Sequence, residues 1–291
     1  MSILLKLILR LTALLPLRLA HQLGALTGKI IDIVPHNYQT SSLKNIQICF
    51  PELSTQQARS LKLNSFRESG KALWELGAIW FWPKPRVLKL VRKISGQDVI
   101  DEAIHKGKGV IIAAPHIGCW EMVGLYCATM ATMTSLYRPP RVSTIEDLMR
   151  DARQRFGANL VPTDNSGIRK LYAALRRNEF IGILPDQDPR NEGNIFAPYF
   201  NFPTNTATLL PRLAQKTHAT VVFTFAERLR HGQGYHLHFI NADEKIYADD
   251  LQVAAQAVNL GVETCIRIVP EQYQWSYKRL KTRPDGEPNI Y

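Results

Sequence analysis

GVIIAAPHIGCWE, residues 109–121, changes character twice within thirteen positions. Its first part is an unbroken apolar run of β-branched and small residues, the pattern of a strand buried on both faces. Pro115 ends that run, and the chain from Cys119 onward carries a helical pattern, so His116 falls in a strand-to-helix turn.

The same alternation recurs along the rest of the chain. TSLY (134–137), ANLVP (158–162), FIGIL (180–184) and TVVFTFA (220–226) read as further buried strands, and YHLHFI (235–240) as an alternating, half-exposed one. Helical stretches fall near 119–131, 143–156, 166–177, 205–217 and 250–268. This order predicts an α/β fold with a largely parallel central sheet flanked by helices, to which a hairpin across RHGQG (230–234) adds an antiparallel edge.

The chain has 291 residues, 45% of them hydrophobic, which suits a folded protein with a sizeable core and excludes a disordered, collagenous or polytopic membrane protein. Cys49, Cys119, Cys127 and Cys265 form no CxxC pair and no metal-ligand spacing, so neither a zinc site nor a disulfide framework is expected. The net charge of +11 is unevenly spread: residues 1–93 hold 14 Lys and Arg against 4 Asp and Glu, and the remainder is nearly neutral. That asymmetry points to an anionic partner for the first third.

The same third is the most lipophilic. ILLKLILRLTALLPLRLA (3–20) is rich in Leu and Ile but interrupted by Lys6, Arg10 and Arg18, so no uncharged run is long enough for a spanning helix. At about 100° per residue Lys6, Arg10, Arg18 and His21 occupy a sector of about 120° opposite a Leu face, the geometry of a helix lying in anionic headgroups, with Pro16 as a kink. A secretory signal peptide fits less well, since charges recur within the apolar segment and no A-x-A-like cleavage site follows. The expected organisation is a membrane-associated helix over 1–34 and one α/β domain over 35–291. Ser54 and Gln57 form a capping box that opens a helix running to Pro83, and its end carries Trp74, Trp80 and Trp82, suited to a bilayer surface, an apolar channel wall or an ordinary aromatic core.

In open α/β sheets the ligand crevice lies beyond the carboxyl ends of the strands. His116 sits at one such end, and Glu121 on the following helical turns can fold back to its ring, fixing the tautomer and leaving the second nitrogen as a general base. A capping histidine beside a surface glutamate is the ordinary alternative. Pro185-Asp186-Gln187-Asp188 places two carboxylates at a second strand end, where they could bind metal, act as acid and base, hydrogen-bond a polyhydroxylated substrate, or cap a turn. Tyr137-Arg138-Pro139-Pro140 and the helix bearing Arg150, Arg153 and Arg155 offer bidentate phosphate or carboxylate recognition. Zincin, serine-hydrolase and P-loop signatures are absent from the sequence.

AAPHIGCWE, the YRP at 137–139, the PDQD at 185–188 and above all the tail PEQYQW (270–275) running into YKRLKTRP together resemble the late acyltransferases of lipid A biosynthesis, in the lysophospholipid acyltransferase superfamily. The resemblance spans most of the chain. It implies a glycerolipid-acyltransferase-like fold and an enzyme on the cytoplasmic face of the inner membrane. Such an enzyme moves a fatty acyl chain from acyl carrier protein to a hydroxyacyl chain of a Kdo-bearing lipid A precursor, without cofactor or metal. Carried over by position, His116 is the base and Glu121 its orienting carboxylate, with Arg138, Arg153, Asp186 and Asp188 contacting substrate. APYFNF (197–202) departs from the family's pattern, so Asn201 inherits no role. Acylation of another glycolipid or aminolipid, and non-catalytic lipid binding, remain as alternatives. Nucleic-acid binding is disfavoured, because the basic region is leucine-rich and carries no recognised module.

Overall fold

The computed structural model describes residues 2–34, 36–137, 143–189 and 193–291. Four helices open the chain: α1 (Ser2–Thr12), α2 (Leu17–Ile33), α3 (Asn37–Cys49) and the long α4 (Thr55–Phe81). A short α5 (Lys84–Leu88) leads into the sheet, whose elements follow as β1 (Val91–Ser95), α6 (Gln97–His105), β2 (Val110–Ala113), α7 (Trp120–Met130), β3 (Met133–Tyr137), α8 (Ser143–Gln154), β4 (Ala158–Pro162), α9 (Asn165–Arg176) and β5 (Phe180–Ile183). A hairpin β6 (Ile195–Tyr199) and β7 (Phe202–Thr206), then α10 (Leu209–Thr217), β8 (Thr220–Arg228), β9 (Tyr235–Asn241) and α11 (Leu251–Ile268) complete the fold.

Among the described residues the main sheet has seven strands in the order β1-β9-β8-β2-β5-β3-β4, parallel except for the β8–β9 pair. Helices cover both faces, so the central strands β2 and β5 are buried and apolar on both sides. β2 shows this directly: Ile111 and Ala113 point into the core formed with α9, α10 and α11, while Val110 and Ile112 point into the core formed with α6 and α7. The α/β expectation and its parallel sheet are thus observed.

Several local expectations are corrected. β9 is buried from Tyr235 to Phe239, not half-exposed, because β1 pairs parallel along its outer side and takes the edge position. The region near 205 is strand before it is helix: β6 and β7 pair antiparallel around Phe200 and Asn201, both at positive φ, a two-residue turn of the kind that matches strand twist. The N-terminal segment is two helices, since α1 stops at Thr12 and Pro16 is the N-cap of α2. His21 leaves the expected polar face: it is buried, and its Nε2 meets Glu75 Oε2 at 2.9 Å. α2 packs on α4 backbone to backbone, for a Cβ on Gly28 would lie 2.0 Å from the Phe66 carbonyl oxygen. The capping box is formed, with Ser54 and Gln57 exchanging side-chain bonds at the start of α4. No helix among the described residues is long and apolar enough to cross a membrane.

Candidate active site

β2 and β5 are neighbours in parallel register, so the turns that leave their carboxyl ends emerge side by side. His116 leaves β2 and Asp186 leaves β5. Asp186 Oδ1 lies 2.9 Å from His116 Nδ1, and Asp186 Oδ2 accepts the backbone N–H of His116 at 3.0 Å. Burial alone would raise the Asp186 carboxyl, yet the His116 ring and these hydrogen bonds bring it below the usual carboxylate value. An ionised carboxylate only accepts, so the Nδ1 proton points at Asp186, and in the neutral imidazole Nε2 keeps its lone pair. Gln187 Nε2 stands 3.2 Å from that nitrogen.

The turn itself is held from three sides. Gly118 sits at φ +57°, and a Cβ there would lie 2.0 Å from the Ala226 carbonyl oxygen, so both its backbone angle and its surroundings call for glycine. Cys119 N–H donates to that same Ala226 oxygen at 2.8 Å, and Gly118 N–H to the Gln272 carbonyl at 3.0 Å. Arg228 Nη2 donates to the Gly118 carbonyl at 2.8 Å. The tail therefore has a structural task that its sequence did not reveal: Gln272, Tyr273 and Gln274 run antiparallel to the His116 turn, with Gln274 N–H donating to the His116 carbonyl. Cys119 is buried, and that burial pushes its thiol well above the ordinary value.

Glu121 is not the partner of His116 Nδ1; that place belongs to Asp186. Glu121 lies on the first turn of α7, where Arg153 of α8 grips it with Nε to Oε2 at 3.1 Å and Nη2 to Oε1, and Trp80 Nε1 donates to Oε2 at 3.3 Å. This follows from the helix: once α7 begins at Trp120, the Glu121 side chain is directed toward α4 and α8. Burial lowers and the Glu121 charge raises the Arg153 pKa, with a net rise. His116, Glu121 and Arg153 nonetheless line the same cavity.

That cavity has a volume of about 450 Å³ and runs inward from His116 between the sheet and α7. Val123, Gly124 and Leu125 of α7, Met133 and Leu160 of the sheet and Leu210 of α10 make its walls apolar. Asp188 lines none of it. Its Oδ1 accepts from Asn205 and its Oδ2 from Thr282, so it fastens the hairpin and the tail. Arg155 donates to the carbonyls of Ile79 and Trp82 and closes the end of α4, while Trp82 donates to the Ala13 carbonyl, leaving both out of the cavity. Arg138 lies outside the described residues.

A histidine with a carboxylate at Nδ1, opening on a long apolar cavity, is joined by a match over residues 2–282 to the family model described as bacterial lipid A biosynthesis acyltransferase. The chain belongs to this family. Among its relatives are the lipid A biosynthesis palmitoleoyltransferase of Escherichia coli (strain K12), 33% identical over 252 residues covering 85% of this chain and 80% of the relative, and the lauroyltransferase of the same strain, 29% identical over 280 residues covering 95% and 90%. The myristoyltransferase of that strain is 25% identical over 283 residues, covering 96% and 86%. The protein is accordingly a lipid A acyltransferase, and its site is to be read as that of an acyl-transfer enzyme.

Proposed function

We propose that this acyltransferase moves a fatty acyl group from acyl carrier protein to a hydroxyl of a Kdo-bearing lipid A precursor, at the cytoplasmic face of the inner membrane. The observation that carries the reading is His116, which lines the apolar cavity while Asp186 holds its Nδ1. An acyl thioester is already activated, so the enzyme must chiefly deprotonate an alcohol and stabilise the tetrahedral oxyanion. His116 Nε2 takes the hydroxyl proton as the oxygen attacks the thioester carbon. On collapse the C–S bond breaks and His116 returns that proton to the carrier thiol. The N-terminal end of α7, beginning at Trp120, supplies a positive dipole end beside the oxyanion. The acyl chain occupies the cavity, and the Glu121–Arg153 pair walls its entrance.

The charge pattern supports this donor: the basic first third suits both an acidic carrier protein and an anionic lipid. Leu7, Ile8, Leu11, Leu14, Leu26 and Ile33 are exposed on α1, α2 and the turn between them, an apolar surface for the membrane. Mass spectrometry of lipid A from a strain lacking its late acyltransferases, with and without this chain, tests the reading. One added acyl chain, lost with His116→Ala, is expected; an unchanged lipid A with acylation of another lipid would reassign the acceptor.

A further inference from the structure

A second cluster of titratable side chains lies on the β8–β9 ribbon, outside the acyl cavity. Glu227 on β8 faces His236 across the antiparallel ladder, and His238 lies two residues along β9. A period of two puts both imidazoles on one face of the strand, together with Glu227. Glu227 Oε2 stands 2.9 Å from His238 Nε2 and 3.3 Å from His236 Nδ1. One ligand atom from each residue lies within 4.8 Å of those from the other two.

The surroundings hold these groups in place. Ser95 Oγ of β1 is 2.8 Å from His236 Nε2, leaving Nδ1 for the cluster. His238 is stacked on Phe225, with ring centroids 4.4 Å apart and planes 6° from parallel. The two imidazoles are themselves 3.8 Å apart between centroids, tilted by 37°, and nearly buried. The Glu227 side chain keeps 25% of its exposure, which leaves an approach from solvent. Lys93, opposite His236 on β1, is exposed. Ligands of a tetrahedral zinc ion, each at about 2.0–2.1 Å, lie about 3.3 Å from one another, close to the 2.9 and 3.3 Å that separate Glu227 Oε2 from the two imidazole nitrogens.

We propose that Glu227, His236 and His238 bind one divalent transition-metal ion of the zinc type, with water completing the coordination and the ion clamping β8 to β9. Two imidazoles and a carboxylate are the donor set such an ion prefers over magnesium or calcium. The clamp sits on the strand that holds the catalytic turn, for the residues just before and after Glu227 on β8 are those that bond Ala226 to Cys119 and Arg228 to Gly118. The site stands independently of the acyl donor and acceptor.

Full-length protein in detergent, stripped with a chelator, is titrated with Zn²⁺ by calorimetry and with Co²⁺ by visible absorption. One ion per chain with micromolar or tighter affinity, tetrahedral Co²⁺ bands, and a thermal midpoint that rises with the ion are expected. Glu227→Gln, His236→Gln and His238→Gln should each weaken binding by about tenfold or more, while His105→Gln, at an exposed histidine on α6, leaves it unchanged. No binding at submillimolar zinc, or binding indifferent to all three substitutions, overturns the proposal. A folding defect in one variant leaves the wild-type stoichiometry and cobalt spectrum as the deciding measurements.

Discussion

Asp186 accepts two hydrogen bonds from a single residue: His116 reaches Oδ1 with its ring Nδ1 at 2.9 Å and Oδ2 with its backbone N–H at 3.0 Å. One buried carboxylate thereby fixes both the rotation of the imidazole and the path of the turn that carries it. Nε2 is left to Gln187, 3.2 Å away, beside the cavity that both residues line.

His116→Ala is expected to abolish acyl transfer in a folded protein. Asp186→Asn should lower kcat by about 10²-fold or more with little change in KM, because an amide N–H facing Nδ1 stabilises the wrong tautomer. Glu121→Gln, which leaves the imidazole held, should be milder. Single-turnover assays on the three variants rank them; a severe Glu121→Gln beside a near-normal Asp186→Asn would return the orienting role to Glu121.

Arg153 and Glu121 should behave as one unit. Arg153→Ala strands a carboxylate whose side chain is 7% exposed and leaves it, among the described residues, the Trp80 indole, a loss of about 1–3 kcal/mol. Arg153→Lys is expected to restore little, since an ammonium does not reproduce the two-nitrogen grip. Denaturant titration of the single and double variants with Glu121→Gln should show coupling of at least about 0.5 kcal/mol; additive effects would dissolve the pair.

β2, β5 and β8 were legible in the sequence because their apolar runs are nearly continuous and end in turn residues; β4 was placed but read as buried, whereas it takes the far edge of the sheet with Asn159 and Pro162 exposed. β1 was not legible, since VRKIS is polar on its solvent side, and β6–β7 was hidden by its prolines and by a turn that uses Phe200 and Asn201 without glycine. His116 and Asp186 were both found, yet their union depends on β5 inserting between β2 and β3, a non-local fact. Glu121 was assigned to the histidine by proximity in sequence, whereas the start of α7 turns it to Arg153. The Glu227, His236 and His238 cluster depended on hairpin register, which an expectation of no metal-ligand spacing could not contain.

Gly124 lines the cavity, and a Cβ placed on it meets nothing within 4 Å. Gly124→Ala should therefore stabilise α7 by about 0.5–1 kcal/mol through helix propensity alone. Gly124→Leu should fill the cavity and shift donor preference toward shorter chains, each excluded methylene being worth about 0.8 kcal/mol. Thermal melts and competition between acyl donors of different length measure the two effects; unchanged preference in Gly124→Leu would place the acyl chain elsewhere.

Glu75 is buried against Arg228, His21 and Tyr235. Burial by itself would raise its carboxyl, but Arg228 and the bond from His21 hold it far below the usual range. An unfolded glutamate titrates near about pH 4.3, so below that value the unfolded chain binds the proton first and stability falls as pH falls. The stabilisation is complete above about pH 5 and is lost in acid. Glu75→Gln should cost about 3–5 kcal/mol at neutral pH by leaving buried Arg228 with the more distant Glu68 carboxylate, 3.8 Å away, as its counter-charge, and should flatten the acid slope. Urea titrations at neutral and acid pH check both; an unchanged slope would mean that Glu75 does not titrate with unfolding.

Membrane attachment should depend more on the exposed leucines than on the basic residues. Burying a leucine is worth about 1.5–3 kcal/mol, against about 1 kcal/mol for a basic residue near an anionic surface. Deleting the segment would be a poor test, because His21 is buried on Glu75 and α2 is packed on α4, so the fold would suffer with the surface. Leu11 and Leu14 are 52% and 78% exposed and can be changed without that penalty. The double variant Leu11→Glu, Leu14→Glu is expected to leave thermal stability nearly unchanged while releasing much of the protein from anionic vesicles in sedimentation assays. High salt should release the wild type only in part. Complete release by salt, with the double variant still bound at low salt, would make the attachment electrostatic and remove the apolar surface from the account.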